Sequence, residues 1–546
     1  MEIAAPALSS LEDDRRSLTY HATVWGDYFL SYGSEMMNAD DGKLETLKEH
    51  VRKLLDATPN NSLHKLELID TVQRLGVGYH FQNEIEGSLK EVYDAYAKGG
   101  FNDGNDLHVV ALRFRLLRNQ RFNVPSNVFE KFMDKEGRFE ESLANDVQGV
   151  LSLYEASHYS VRGEKILDAA LEFSSTRLAA VVSHIGDALL AARVKEALET
   201  PIHKCLNRLH ATKFIPIYQG YESHDVSLLA LAKMDFNLVQ KLHQKEISDL
   251  TKWWKDLDFG NKFPFVRDRM VECYFWIMQL FFEPRFHVGR MTLSKVLMMI
   301  TIIDDIYDVH GTLDELQVFT KAIDRWEPAA MEGLPPYMTS CYELLLEVYD
   351  EMAELVRADG EYRTSYAKDE MKKLSRVYFE EAVRLFKSET PTLEEYFRVG
   401  VPSLGYMIVA VTCFVGMGDL VGKEDFDWVA NEPKIVCASS LIGRLMDDMA
   451  GYQLEKKQSS VHVYMSEKGA TKEETFVALK EKVWTAWQDI NEECLNLKGL
   501  PMAVVECLVN SARTFHLIYR DGDGFTDSQS KVKEAIKASL VHPMPL

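Results

Sequence analysis

The stretch Val296-Leu297-Met298-Met299-Ile300-Thr301-Ile302-Ile303-Asp304-Asp305-Ile306-Tyr307-Asp308 passes directly from an apolar run into a cluster of carboxylates. Val296 to Ile303 is apolar all round, the pattern of a helix buried on every side. Asp304 and Asp308 stand four apart and so share one helical face. Asp305 is turned by about 100° from Asp304. Two carboxylates at the mouth of a buried helix repel each other and lose hydration. A divalent cation relieves both costs, and an all-oxygen set suits Mg2+ or Mn2+. The competing reading is a solvated acidic helix end, the usual fate of a charge run.

Outward from this stretch, helical periodicity dominates. Val147, Val150, Leu151 and Tyr154 fall on one helical face, with cap candidates from Ser142 to Asp146 just before them. Leu228, Leu229, Leu231, Phe236, Leu238, Val239 and Leu242 form another long helical pattern, ending near Trp253 and Trp254. Sustained alternation with Gly-Asn turns is hard to find. Ile215-Pro216 interrupts a helical pattern, and Tyr218 to His224 reads as a loop. The chain is therefore expected to be all-α, in two helical halves, residues 1–225 and 226–546. The chemistry lies in the second half.

A second acidic group follows the apolar residues around Leu445. Asp447, Gly451 and Glu455 are spaced i, i+4, i+8, with Asp448 beside the first. Arginines accompany both groups. Arg267 and Arg269 flank Asp268 after Phe263-Pro264-Phe265, and Arg444 lies one turn before Asp447. Each alone reads as a surface or ion-pair arginine. Next to bound metals they read as a clamp for diphosphate, because the guanidinium fork matches phosphate oxygens. Pro402 and Gly405 inside apolar helical sequence predict a helix break.

Composition narrows the function classes. The 546 residues carry a formal net charge of −22, which opposes general nucleic-acid binding. Gly (30) and Pro (16) are sparse, again favouring helices. No two of the seven cysteines form a C-x-x-C knuckle, so reduced thiols in a reducing compartment are expected. Residues 1–14 hold no Lys or Arg and four acids, unlike a transit or signal peptide. No apolar stretch reads as long enough to span a bilayer. The expectation is a soluble, cytosolic protein without a membrane span. Asp521-Gly522-Asp523-Gly524-Phe525 begins like a calcium loop, but Thr526 and Val532 stand where Gly and Glu are required. The H-E-x-x-H, Walker A and G-x-S-x-G patterns are absent.

Taken together, these residues resemble the plant terpene synthases, specifically the angiosperm sesquiterpene synthase group, over essentially the whole chain. Asp304-Asp305-Ile306-Tyr307-Asp308 resembles the family's DDxxD motif, Asp447-Asp448 through Glu455 its second metal motif, and Arg267-Asp268-Arg269 its RDR. Arg15-Arg16, eight residues and then Trp25 resemble its RRx8W signature. Tyr519 and Asp523 to Thr526 resemble its C-terminal lid segment. The resemblance implies an N-terminal α-α barrel-like domain and a C-terminal catalytic helical bundle of the isoprenoid-synthase type. It implies three Mg2+ ions, with Asp304 and Asp308 on one wall and Asp447, the position of Gly451, and Glu455 on the other. Gly451 replaces a Ser or Thr, so water fills that coordination site. Phe525 replaces a tyrosine seen in many relatives.

The implied substrate is a prenyl diphosphate, bound by Arg267, Arg444 and the metal-held carboxylates Asp304, Asp308 and Asp447. Its departure leaves a carbocation facing Trp276 and Tyr519. The final base is diphosphate itself, Asp523 or Tyr519. A cytosolic chain meets farnesyl diphosphate, with geranyl diphosphate the alternative, and a monomer is expected. A chain-elongating prenyltransferase would need a second full D-D-x-x-D, which Asp447-Asp448-Met449-Ala450-Gly451 is not. A non-catalytic helical scaffold is the remaining competing class.

Overall fold

In a computed structural model, residues 20, 22–34, 41–60, 62–99, 105–356, 360–387, 390–452 and 458–546 are described. The chain is 77% helical, and no strand occurs among the described residues. It forms two compact units, neither continuous in sequence. One comprises residues 1–35, 242–487 and 500–536; the other comprises 36–241, 488–499 and 537–546.

The second of these units is built on short, well-capped helices. Ser62 accepts from Lys65 N, Asp106 from Val109 N and Asp146 from Gly149 N, each opening a helix as Ser and Asp caps do. The helix Leu107–Asn119 is buried on nearly every side, including Arg118. That guanidinium is tolerated because it is fully engaged, with Val124 O, Tyr159 O and the Glu164 carboxylate as acceptors. Two distant segments complete the unit. Asn491 donates to the carbonyls of His158 and Ser160 at 2.9 and 2.8 Å. Gln240 donates to Ser539 O and His542 O, and Asn237 exchanges bonds of 2.9 and 2.7 Å with the Met544 backbone.

The expected joint is partly displaced. The helix Asn207–Gly220 runs through Pro216, so Tyr218 to Gly220 are helical and not loop. Proline removes only its own N–H, and buried Phe214, Ile215, Ile217 and Tyr218 hold the helix on both sides of it.

Six helices of the other unit build the site, and we number them α1 Met270–Leu280, α2 His287–Asp305, α3 Leu393–Ser403, α4 Tyr406–Val415, α5 Lys434–Gly451 and α6 Met502–Tyr519. A buried pair fixes two of them to the long helix Val226–Asp256. Arg290 on α2 makes a bidentate contact with Glu246 at 2.8 and 2.6 Å, and Tyr274 on α1 donates to the same carboxylate at 2.7 Å. Removing one partner of such a pair costs about 3–5 kcal/mol.

Contrary to the sequence expectation, two stretches, Pro284–His310 and Leu393–Val415, are long and apolar enough to cross a membrane by composition. They are 78% and 72% buried inside the protein, as core helices are. All seven cysteines are free; four are buried, but Cys437 is exposed.

Candidate active site

α2 delivers the first acidic cluster as the sequence predicts, with one difference. The helix ends at Asp305, and Ile306–His310 continue as a π turn closed by Gly311 N donating to Ile306 O at 2.8 Å. Wide turns of this kind recur at functional sites. Tyr307 locks the turn from inside: its hydroxyl bonds Thr320 Oγ1 at 2.6 Å and Ser375 Oγ at 2.9 Å. Asp304 and Asp308 stay partly exposed, whereas Asp305 is fully buried. Burial pushes the Asp305 carboxyl up to about 6 against the pull of Arg267.

Arg267 bridges this cluster. Its guanidinium reaches Asp304 at 2.5 Å and Asp305 at 3.0 Å, and its backbone N–H donates to Asp305 at 2.8 Å. Thr526 Oγ1 accepts from it at 3.3 Å, and the rings of Tyr20 and Phe525 lie 5.3 and 5.7 Å from its central carbon. Tyr20 also donates to Asp305 at 3.2 Å. Nothing in the sequence around Tyr20 signals that position.

Arg269 does something else. It is fully buried, and its guanidinium donates to Phe525 O at 3.1 Å, Thr526 O at 2.6 Å and Asp268 O at 2.7 Å. The two arginines expected to form a diphosphate clamp thus differ in their surroundings. Arg267 faces the carboxylates, and Arg269 ties down the C-terminal segment after α6. Asp523 shapes that same segment by accepting from Phe525 N and Thr526 N at 3.0 and 2.9 Å, beside Gly522 at φ +119°.

On α5, Arg444 contacts Asp447 closely and Asp448 at 2.8 Å. Asp448 is 1% exposed and accepts from Tyr396 at 2.8 Å and from Ser460 N at 2.8 Å. It therefore anchors Arg444, while Asp447 remains nearer the surface. Gly451 closes α5 as a buried residue, and Glu455 lies outside the described residues, as do Arg15 and Arg16.

Between the two clusters lies an aromatic wall. Trp276 on α1 meets Phe515 edge-on at 5.2 Å and Phe525 at 5.7 Å. Phe515 stacks on Tyr519 at 6.4 Å and meets Tyr406 at 6.0 Å. The Tyr519 phenol is pushed well above its ordinary range by burial, then by Asp447 and Asp523, against the pull of Arg444 and Arg267. One side chain thus feels the guanidinium groups of both Arg267 and Arg444. The predicted helix break is present between α3 and α4, where Gly405 adopts φ +76°.

The donor set fits hard divalent cations. Carboxylate oxygens end two helices, and a guanidinium compensates each cluster. No three His, Cys, Asp or Glu side chains converge on one point among the described residues. Mg2+ takes one or two carboxylates and completes its shell with water and substrate phosphate, and Asp304, Asp308 and Asp447 offer partly exposed carboxylates of that kind.

The comparisons with known proteins agree with this geometry. The metal-binding domain profile of the terpene synthase family matches residues 255–489, and the terpene synthase N-terminal domain profile matches residues 24–198. The chain is 52% identical to a beta-caryophyllene synthase of Phyla dulcis, with 98% of each chain covered. It is 48% identical to a (-)-germacrene D synthase of Vitis vinifera, covering 98% of this chain and 97% of that one. Among solved structures, grey poplar isoprene synthase in complex with three Mg2+ ions and dimethylallyl-S-thiolodiphosphate superimposes with a TM-score of 0.87 at 32% identity, over 95% of this chain and 99% of that one. With this similarity running almost end to end, the chain belongs to the terpene synthase family.

Proposed function

We propose that the protein is a sesquiterpene synthase that ionises farnesyl diphosphate, cyclises the carbocation to a C15 product and releases diphosphate. The observation that carries this reading is the pairing of each acidic cluster with its own guanidinium, Arg267 on Asp304 and Asp305 and Arg444 on Asp447 and Asp448, beside the aromatic wall of Trp276, Phe515 and Tyr519. Its relatives named for caryophyllene, germacrene D and selinene support the C15 substrate.

Asp304 and Asp308 on one wall, and Asp447 with Glu455 on the other, would hold Mg2+, three ions by analogy with the isoprene synthase complex. When bound, the metal offsets the charge that develops on the departing diphosphate. Arg267 and Arg444 add cationic donors at the same rim. Asp305 and Asp448 hold those two guanidinium groups in place from beneath. Trp276 and Tyr519 offer aromatic faces to the cation, each worth roughly 0.5–2 kcal/mol. Burial keeps the Tyr519 phenol neutral, and the final proton passes to diphosphate, Asp523 or that phenol oxygen.

We also propose that the enzyme works as a monomer in the cytosol; its seven free thiols suit a reducing compartment. The decisive experiment incubates purified protein with Mg2+ and either farnesyl or geranyl diphosphate under a solvent overlay, followed by gas chromatography. Cyclic C15 products from farnesyl diphosphate are expected. Turnover of geranyl diphosphate alone, or of neither, would overturn the reading.

A further inference from the structure

Gly443 sits in the interior of α5, where glycine disfavours the helix and must be kept for another reason. The reason is space. A Cβ built there would lie inside van der Waals distance of Leu404 Cδ2 and 2.9 Å from both Phe515 Cε1 and Cε2. These two neighbours belong to the two features that bound the pocket. Leu404 lies in the break between α3 and α4, beside Gly405 at φ +76°. Phe515 stands at the centre of the aromatic wall, 5.2 Å from Trp276 and 6.0 Å from Tyr406.

The helical register extends the argument by one turn. Gly443 and Asp447 are four apart on α5, and Phe515 and Tyr519 are four apart on α6, so each pair shares a face. At one level α5 presents Gly443 to Phe515. At the next it presents Asp447 to Tyr519, whose phenol responds to that carboxylate. Any side chain at position 443 must displace Phe515, Leu404 or both. Displacing Phe515 moves its ring against Trp276 and Tyr519.

We infer that Gly443 is a specificity-determining position, which sets the contour of the pocket by fixing where Phe515 and Leu404 sit. It acts through those neighbours and is a positioning residue. The inference rests on the functional reading above. Competing carbocation routes differ little in barrier, so a contour change is read out as product ratio before it is read out as loss of turnover.

The test compares wild type, Gly443→Ala, the double variants Gly443→Ala/Leu404→Ala and Gly443→Ala/Phe515→Leu, and Gly220→Ala. The last is a packing control: Gly220 in the other unit would put a Cβ 2.8 Å from Leu189 Cδ2, also inside van der Waals distance but far from this pocket in sequence. Each protein is given farnesyl diphosphate and Mg2+, and product shares and thermal midpoints are recorded. In Gly443→Ala the share of the main product should change by about twofold or more. At least one double variant should return it toward wild type, and Gly220→Ala should leave the ratio alone. An unchanged ratio in Gly443→Ala, or an equal change in Gly220→Ala, would overturn the inference. If Gly443→Ala is insoluble, its double variant with Leu404→Ala carries the same comparison against Leu404→Ala alone. Failure of the functional reading is distinct, because wild type itself would then yield no terpene, and the inference would fall with it.

Discussion

Trp25 Nε1 donates to Glu272 Oε1 at 3.0 Å, joining positions 247 residues apart in the chain. Both side chains are buried, at 6% and 3% exposure, and Glu272 Oε2 has no hydrogen-bond partner. Glu272 lies one turn into α1, three residues after Arg269. The contact therefore ties the segment that carries Tyr20 to the helix that follows Arg267 and Arg269.

Burial pushes the Glu272 carboxyl up to about 7 from 4.5, with its own backbone N–H, Arg269 and the Trp25 bond pulling the other way. The folded state thus holds this proton more tightly than the unfolded chain does. The associated stability is present below pH 4.5 and is lost as the pH rises through about 7. Glu272→Gln keeps the acceptor for Trp25 and cannot ionise. It should match wild type near pH 5 and exceed it near pH 8, by up to about 3 kcal/mol. Thermal melts of both proteins at the two pH values check this; a pH-independent difference would contradict it.

Asp304→Ala and Asp308→Ala should each reduce turnover of farnesyl diphosphate by about 10²-fold or more, the usual cost of deleting an electrostatic contributor to a charged transition state. Both residues are partly exposed at the end of α2, and Arg267 keeps Asp305 as a partner in either variant. Circular dichroism should therefore be unchanged. Normal turnover by either variant would remove that residue from the metal set.

Arg267 and Arg269 should separate. Arg269→Ala strips donors from the carbonyls of Asp268, Phe525 and Thr526, and should lower stability by about 2–4 kcal/mol. Arg267→Ala should lower kcat as well as stability, because Arg267 contacts Asp304 and Thr526 at the rim and its loss leaves buried Asp305 without its guanidinium. Steady-state kinetics beside urea unfolding would show the split. Equal effects of the two substitutions on both quantities would refute it.

Gly451→Ser supplies a hydroxyl at the end of α5, on the face of Asp447. If that position borders a metal, the half-saturating Mg2+ concentration should fall, by roughly threefold for a gain of about 0.7 kcal/mol. An unchanged or higher value would place Gly451 away from the ions.

What the sequence made legible was what local spacing controls. The apolar run before Asp304 had to be a buried helix, and its carboxylates had to emerge together at its end. Pro402 with Gly405 made a break because the glycine could take the left-handed conformation. Pro216 made none, because four buried neighbours held the helix across it. Arg267 and Arg269 look alike in sequence, and only tertiary packing sends one to the carboxylates and the other to the carbonyls of residues 525 and 526. Tyr20 and Glu272 were illegible for the same reason. Each acquires its partner from a segment that no periodicity connects to it.

The polar contacts of Gln240 and Asn237 bear on how this chain is made. Their partners, Ser539, His542 and Met544, lie 299 or more residues further along the chain. Domains emerging from a ribosome usually fold in order, N-terminal first. Here the unit that begins to emerge early lacks residues 488–499 and 537–546 until the catalytic helices have been made. Its final closure therefore follows synthesis of those helices, and a nascent chain stalled before residue 537 would carry them complete while the N-terminal unit still missed its last strap.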